Sequence, residues 1–319
     1  MTVRLDQPRV LFVGAVQEGR RCLDALIARS ERFAGIVTLE DALARSTSGA
    51  VPFDDVARQQ GIPLIKVANL NAPGSIAKVR ELAPDLILVI GWTRLLGPEL
   101  LSMPRLGCVG FHASLLPAYR GRAPVNWAII NGETETGNTM FYLDEGVDTG
   151  DIIAQRRIPI TKQDTCATLY EKVSDAAIEM LAENFELLKQ GRAPRWRQDH
   201  EKATVMKKRR PEDGLIDWTR TSGQLHDWVR ALTHPYPGAF TGFDDRRLFI
   251  WRADDAGGES AGADPGVVME VSGDTAFVAT GRGRLAVTRA QWEGSPEMAG
   301  SALSGLVGRR LGQTAGRTA

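Results

Sequence analysis

Two polar side chains stand where chemistry could be done. His112 sits in GCVGFHASLLP, directly after an apolar run, and Asp148 sits in the acidic, glycine-rich turn DEGVDTGD after a second such run. An imidazole can take up a proton near neutral pH and, once charged, can stabilise an oxyanion. A carboxylate beside it can orient the ring and stabilise the charged form. Both residues also have plain structural readings, a satisfied core histidine and an exposed acidic turn. The loop after His112 carries Pro117, which is rigid, and Gly121, which is permissive, so it can wrap a ligand with backbone groups. His200, His226 and His234 are scattered without Cys or His at ligand spacing, so no metal is expected.

Positioning such residues takes a sheet. The run RVLFVG (9–14), a helical pattern over 19–30 and an apolar run at 33–39 read as βαβ, which implies a parallel sheet. Residues 84–91, PDLILVIG, form a continuous apolar run, as in a strand buried on both faces. Strands are also predicted at 63–67, 107–111, 139–143 and 152–158. Helices are predicted at 55–60, 75–82, 98–101, 123–131 and 165–189, the last capped by Thr161 or Asp164. The small polar segment 40–54 reads as a loop. In open α/β sheets ligands bind outside the carboxyl ends of the strands, which is where His112 falls.

The segment 191–211, with GRAPRWR and KKRR, lacks apolar periodicity and reads as a linker. Beyond it come a helix at 223–232 and five short strands at 239–243, 247–252, 266–271, 275–279 and 284–289, separated by Gly, Asp and Pro. The fold class is therefore α/β, with a Rossmann-like, mostly parallel sheet in 1–190 and a small OB-like barrel in 212–319. The final GRRLGQTAGRTA is expected to fray.

A chain of 319 residues suits two domains, and 39 basic against 39 acidic residues leave no net charge to attract nucleic acid or an anionic membrane. KKRR at 207–210 is a local basic run, and the predicted barrel shows no dense aromatic-basic face of the kind that single-strand binders use. Three cysteines without pairing or metal spacing indicate a reducing compartment. No leader is evident, and no run approaches the ~20 apolar residues of a membrane helix. A cytoplasmic protein is expected.

On its motifs the chain resembles the 10-formyltetrahydrofolate-dependent formyltransferase family. That family's pattern is Asn-x-His, SLLP, an RG loop and an Asp in a D-x-G-x-D-T/S-G turn. Here His112, Ser114-Leu115-Leu116-Pro117, Arg120-Gly121 and Asp148 meet it in order. Residues 209–251, with GLIDW and RALTHPYPGAF, resemble the start of the OB-like domain of methionyl-tRNA formyltransferase and of the enzyme that formylates UDP-4-amino-4-deoxyarabinose. GRAPVNWAIINGETETG is closer to the amino-sugar branch.

The resemblance implies transfer of a formyl group from N10 of 10-formyltetrahydrofolate to an amine, without a metal. It makes His112 the general base and oxyanion partner, with Asp148 charging the ring and helping to move the proton. It places the pterin after strand 84–91, at Ile90, Trp92, Leu95 and Leu96, and against the turn holding Leu143, Asp144, Gly146 and Val147. Trp92 either stacks on the flat ring or packs at the strand end. Arg94 either faces the glutamate tail or is a solvated loop arginine. The acceptor is expected at Ser114, Leu116 and Pro117 and along Tyr119, Arg120 and Arg122.

Gly110 departs from the pattern, because the family's catalytic Asn belongs there. Losing one oxyanion donor typically costs about 10²–10³ in rate. Another donor takes over, or Gly110 makes room for a bulkier acceptor, or the chain is a catalytically impaired folate-binding relative. The favoured acceptor is a small-molecule amine, foremost a nucleotide-linked amino sugar. The alternatives are an N-hydroxyornithine-type siderophore precursor, methionyl-tRNA, or water, as in a 10-formyltetrahydrofolate hydrolase. A homodimer is an assembly open to it.

Overall fold

Apolar runs bounded by glycine or proline become the strands of a first sheet. The structure, a computed structural model, describes residues 7–260 and 262–314. The strands are β1 (Val10–Val13), β2 (Gly35–Leu39), β3 (Leu64–Val67), β4 (Leu86–Val89), β5 (Cys108–His112), the two-residue β6 (Arg120–Gly121), β7 (Glu135–Tyr142) and β8 (Ile152–Pro159). Without β6 they form one sheet in the order β3-β2-β1-β4-β5-β7-β8. The first five are parallel, and β7 and β8 add on antiparallel. Side chains alternate between two cores, as strand geometry requires. Phe12, Leu86, Leu88 and Val109 face one, and Leu11, Val13, Ile87 and Val89 face the other.

The helices are α1 (Gln17–Ala28), α2 (Asp41–Arg45), α3 (Asp54–Gln60), α4 (Pro73–Glu81), α5 (Pro98–Leu101), α6 (Pro124–Ile130) and α7 (Cys166–Lys189). Helix α2 lies in a segment expected to be a loop. It buries no residue, so it leaves no apolar period to read, but Asp41 in its first turn and Arg45 in its last suit the helix dipole.

The strand order reverses between β1 and β4, where a nucleotide-binding sheet would open a crevice. Here the backbone closes it. Ala15 N and Val16 N donate to Gly91 O at 3.1 and 3.3 Å. A Cβ at Gly19 would lie 2.3 Å from Ile90 O. The open edge is therefore at the ends of β4, β5 and β7.

By contacts the chain divides into two units. One gathers the residues up to Pro124 with Glu135–Pro159 and Tyr170–Lys207, and the other Val125–Thr134, Ile160–Leu169 and the chain from Lys208 on. The second contains α8 (Ser222–Leu232), capped by Thr221 with Gln224 at the third position, and an antiparallel sheet. Following β9 (Val205–Met206) of the first unit, its strands are β10 (Ala239–Asp244), β11 (Arg246–Gly257), β12 (Val268–Ser272), β13 (Thr275–Ala279), β14 (Arg284–Trp292), β15 (Met298–Ala299) and β16 (Gln313–Thr314). The sheet order is β12-β13-β14-β11-β10-β16, with β15 on β14. Register shifts after Ile250 and after Asp255 let the long β11 bend.

The expected fraying of the chain end is corrected as far as residue 314. Leu311 is buried, Gly312 N donates to Gly242 O at 2.7 Å, and β16 pairs with β10. Residues 1–6 and 315–319, on which the rest of that expectation and part of the leader reading fall, lie outside the described residues.

Candidate active site

His112 is the last residue of β5 and lies across from Thr139 of β7, whereas Asp148 sits in the turn after β7, which starts beside Cys108 and folds back so that its carboxylate reaches the ring. His112 Nδ1 lies 3.4 Å from Asp148 Oδ2, and Nε2 lies 2.7 Å from the Tyr119 carbonyl oxygen. The ring is buried. A carbonyl can only accept, so the proton is assigned to Nε2, and Nδ1 presents its lone pair beside the carboxylate. When Nδ1 gains a proton, both ring nitrogens have an acceptor.

The Asp148 turn is built from its own polar atoms. Asp144 Oδ1 accepts from Gly146 N at 3.1 Å and from Thr149 Oγ1 at 2.6 Å. A Cβ at Gly150 would lie 1.8 Å from Tyr142 O, so only glycine fits there. Asp148 itself is left-handed, with φ 55°, which Asp tolerates better than most residues. Its Oδ2 also accepts from Gly121 N at 2.8 Å.

The loop from His112 to Arg122 is tied down along its length. Ser114 Oγ donates to Ala118 O at 2.6 Å, and Leu116 N donates to Thr139 Oγ1 at 3.1 Å. Gln155 Nε2 donates to Leu116 O at 2.8 Å. The Leu116–Pro117 bond is cis, and Tyr119 has φ 58°. Arg120 is buried and donates to Gln198 Oε1, and Arg122 donates to Thr93 O at 2.7 Å. Ser114, Leu116 and Arg120, expected to meet the acceptor, are thus internal braces. Pro117, Tyr119 and Arg122 remain at least partly exposed.

The segment 191–211 is more than a linker. Trp196 pairs with Ile152 through both backbone bonds, β9 pairs with β6, and Thr204 Oγ1 accepts from Tyr119 N at 2.8 Å. Gln198 Nε2 donates to Asp148 O at 2.9 Å and Gly150 O at 2.7 Å. Sequence reasoning missed Thr139, Gln155, Gln198 and Thr204, because each acts by a bond to a distant backbone atom and leaves no local pattern.

A folate has apolar and donor surfaces to meet on this unit. Ile90 and Leu96 are buried at the end of β4, and Trp92 and Leu143 pack against the same core as Leu96. Trp92 Nε1 is buried with no acceptor among the described residues, and Leu95 and Val147 are exposed apolar side chains. An orphan indole donor beside apolar side chains fits a flat heterocycle. Two expected folate contacts are engaged elsewhere: Asp144 holds its own turn, and the Arg94 guanidinium donates to Ala68 O. Gly146 stays in that turn, where a Cβ would lie 1.9 Å from Thr149 Oγ1.

Gly110 does not open a space. A Cβ there would stand 2.7 Å from Leu143 Cδ2, so Leu143 already fills the place that a side chain at 110 would take. The idea that Gly110 makes room for a bulkier acceptor is corrected accordingly.

In the second unit, the basic run 207–210 splits. Arg209 stacks over Trp127 at 5.0 Å and Trp228 at 4.7 Å, and burial lowers its pKa from the usual arginine value. It serves packing, while Lys208 and Arg210 are exposed. The sheet of this unit carries a few aromatic side chains under arginines. Arg247 lies 4.5 Å over half-buried Phe240, which pairs across the strands with Phe249, and Arg246 lies 4.3 Å over Trp292. Alternation sets Arg247, Phe249 and the facing Phe240 on one side of the strands and Arg246 with Trp292 on the other, so they form no single face. Among the described residues no group of three or more His, Cys, Asp or Glu side chains could hold a metal, and no helix is long and apolar enough to cross a membrane.

Comparison with known proteins agrees with this geometry. Residues 9–185 match the family described as formyl transferase, and residues 208–305 match the formyl transferase C-terminal domain. The chain is 38% identical over 300 residues to the methionyl-tRNA formyltransferase of Citrifermentans bemidjiense, covering 93% of each chain. In structure it is similar to HypX from Aquifex aeolicus, solved with tetrahydrofolic acid (TM-score 0.67, 19% identity). That match covers 93% of this chain but 47% of HypX, so the chain spans about half of that protein's length. It is also similar to an N-formyltransferase from Helicobacter canadensis solved with folinic acid and dTDP-3-aminofucose (TM-score 0.63, 16% identity), covering 88% of this chain and 98% of that one.

Proposed function

The chain belongs to the formyl transferase family, and from that membership we propose that it moves the formyl group of 10-formyltetrahydrofolate to the amino group of a methionyl-tRNA. The observation that carries the acceptor is the similarity to a methionyl-tRNA formyltransferase along 93% of both chains at 38% identity, against 16% for the aminofucose-bound structure. Arg247 over Phe240 and Phe249 in the second unit supports it, since guanidinium and aromatic planes suit nucleotides. This reading displaces the small-molecule acceptor that the central motif favours. A nucleotide-linked amino sugar is the second reading, carried by GRAPVNWAIINGETETG.

Bound folate supplies an electrophilic formyl carbon on N10. The chain supplies the proton chemistry. His112 Nδ1 takes the proton that the amine loses as its nitrogen bonds the formyl carbon, and Tyr119 O and Asp148 Oδ2 hold the charged ring. The ring returns that proton to N10 as the formyl C–N10 bond breaks and tetrahydrofolate leaves. Asp148 orients the ring through its contact with Nδ1 and is itself fixed by Gly121 N. With no side chain at Gly110, the charged His112 ring offsets the developing negative charge by its field, both of its N–H groups being held by Tyr119 O and Asp148 Oδ2. Tetrahydrofolate release, followed with methionyl-tRNA, amino-sugar nucleotides and hydroxyornithine in parallel, tests the reading. Release that depends on methionyl-tRNA is expected, and release with an amino-sugar nucleotide alone would overturn it.

A further inference from the structure

Gln198 lies in the segment that composition reads as a connector, yet it is 6% exposed and its side chain bonds to Arg120, Asp148 and Gly150, all distant in sequence. Both of its amide hydrogens are used, on Asp148 O at 2.9 Å and Gly150 O at 2.7 Å. Its carbonyl oxygen accepts from Arg120 Nε at 3.2 Å and from a terminal guanidinium nitrogen at 2.5 Å. A glutamine offers two donors and one two-acceptor oxygen, so its capacity is fully spent here. The amide can sit only one way round: flipped, it would set its NH₂ against an arginine that only donates and its oxygen against two carbonyls.

The carbonyl that Gln198 grips belongs to Asp148, whose left-handed backbone would otherwise relax toward the commoner region. The arginine that grips Gln198 stands next to Gly121, whose N–H holds the Asp148 carboxylate. The same carboxylate is 3.4 Å from His112 Nδ1. One amide therefore joins the two loops that carry the reacting pair.

We infer that Gln198 is a positioning residue for formyl transfer, locking the Asp148 turn to the Arg120 loop so that the carboxylate faces His112. The inference rests on the proposed role of that pair. It reaches a residue that touches neither His112 nor an approaching amine.

Two variants separate positioning from general support. Gln198→Glu keeps the Arg120 contact and loses both donors, and Gln198→Met keeps the length and loses every bond. Each is compared with wild type and Asp148→Asn by steady-state turnover, thermal unfolding and the ¹⁵N signals of the His112 ring at fixed pH. The expected result is a 10- to 100-fold loss of kcat, a KM for the folate within threefold of wild type, and ring signals displaced in the same direction as in Asp148→Asn. Turnover within twofold of wild type with unchanged ring signals would overturn the proposal, as would failure of both variants to fold. The ring signals need no acceptor. A wild-type enzyme inactive on every acceptor would sink the functional reading while leaving the positioning test to stand on the signals alone.

Discussion

Replacing Glu18 by Gln should make the protein more stable above neutral pH and leave it nearly unchanged in acid. Glu18 opens α1, half-buried, with Asn138 Nδ2 on its Oε1 at 3.1 Å. Burial raises its pKa from 4.5 to about 7, and the Asn138 bond offsets only part of that. Because the folded value lies above the unfolded one, the native state binds the proton more tightly. The stability this contributes is complete below about pH 4.5 and lost as pH rises through about 7. Over that interval the linkage amounts to roughly 3 kcal/mol, and the water that still reaches a half-buried carboxyl reduces it to about 2 kcal/mol. Glutamine keeps the acceptor for Asn138 and has no charge to bury. Urea unfolding of both proteins from pH 4 to pH 8.5 reads the difference. The curves should coincide near pH 4 and diverge to about 2 kcal/mol in favour of Gln by pH 8.5. A gap that stays constant with pH, or a variant less stable at pH 8.5, would refute the burial argument.

Two further predictions concern packing. Gly110→Asn must displace Leu143, whose Cδ2 would stand 2.7 Å from the new Cβ. A thermal double-mutant cycle with Leu143→Ala should give a coupling on the order of 1 kcal/mol, whereas additive costs would mean that the two side chains do not compete. Cys22, Cys108 and Cys166 are buried, with thiol pKa values raised well above the usual range for Cys22 and to about 12 for the other two by desolvation. A thiol reagent at pH 8 should label none of them in the native protein and all three once it is unfolded. Rapid native labelling of any one would contradict its burial.

Much of the first unit is legible in the chain because its signals are periodic. Apolar runs ending in glycine become β1 and β4, while the meeting of His112 and Asp148 is implied only by the family resemblance. The misses share a different cause. Ser114, Arg120 and Asp144 have the chemistry of ligand contacts but spend it on the protein's own backbone and side chains. Gln198 and Thr204 brace loops far away in the sequence, so the segment holding them reads as unstructured. Arg209 reads as surface charge in a basic run until folding sets it over Trp127 and Trp228. No periodicity reports a single long-range hydrogen bond or a cation over a ring.

In the proposed reaction the His112–Asp148 pair moves the proton while a formyl group passes from the folate to the amine of a methionyl-tRNA. Its most direct measurement is the fate of a ¹⁴C-formyl label supplied on 10-formyltetrahydrofolate, followed with wild type and with His112→Ala. Label is expected on the methionine amine of the charged tRNA with wild type, with a rate reduced by roughly 10²–10⁴ in His112→Ala, the span of general acid–base catalysis. Label recovered as free formate or on an amino-sugar nucleotide, or an equal rate without His112, would contradict it.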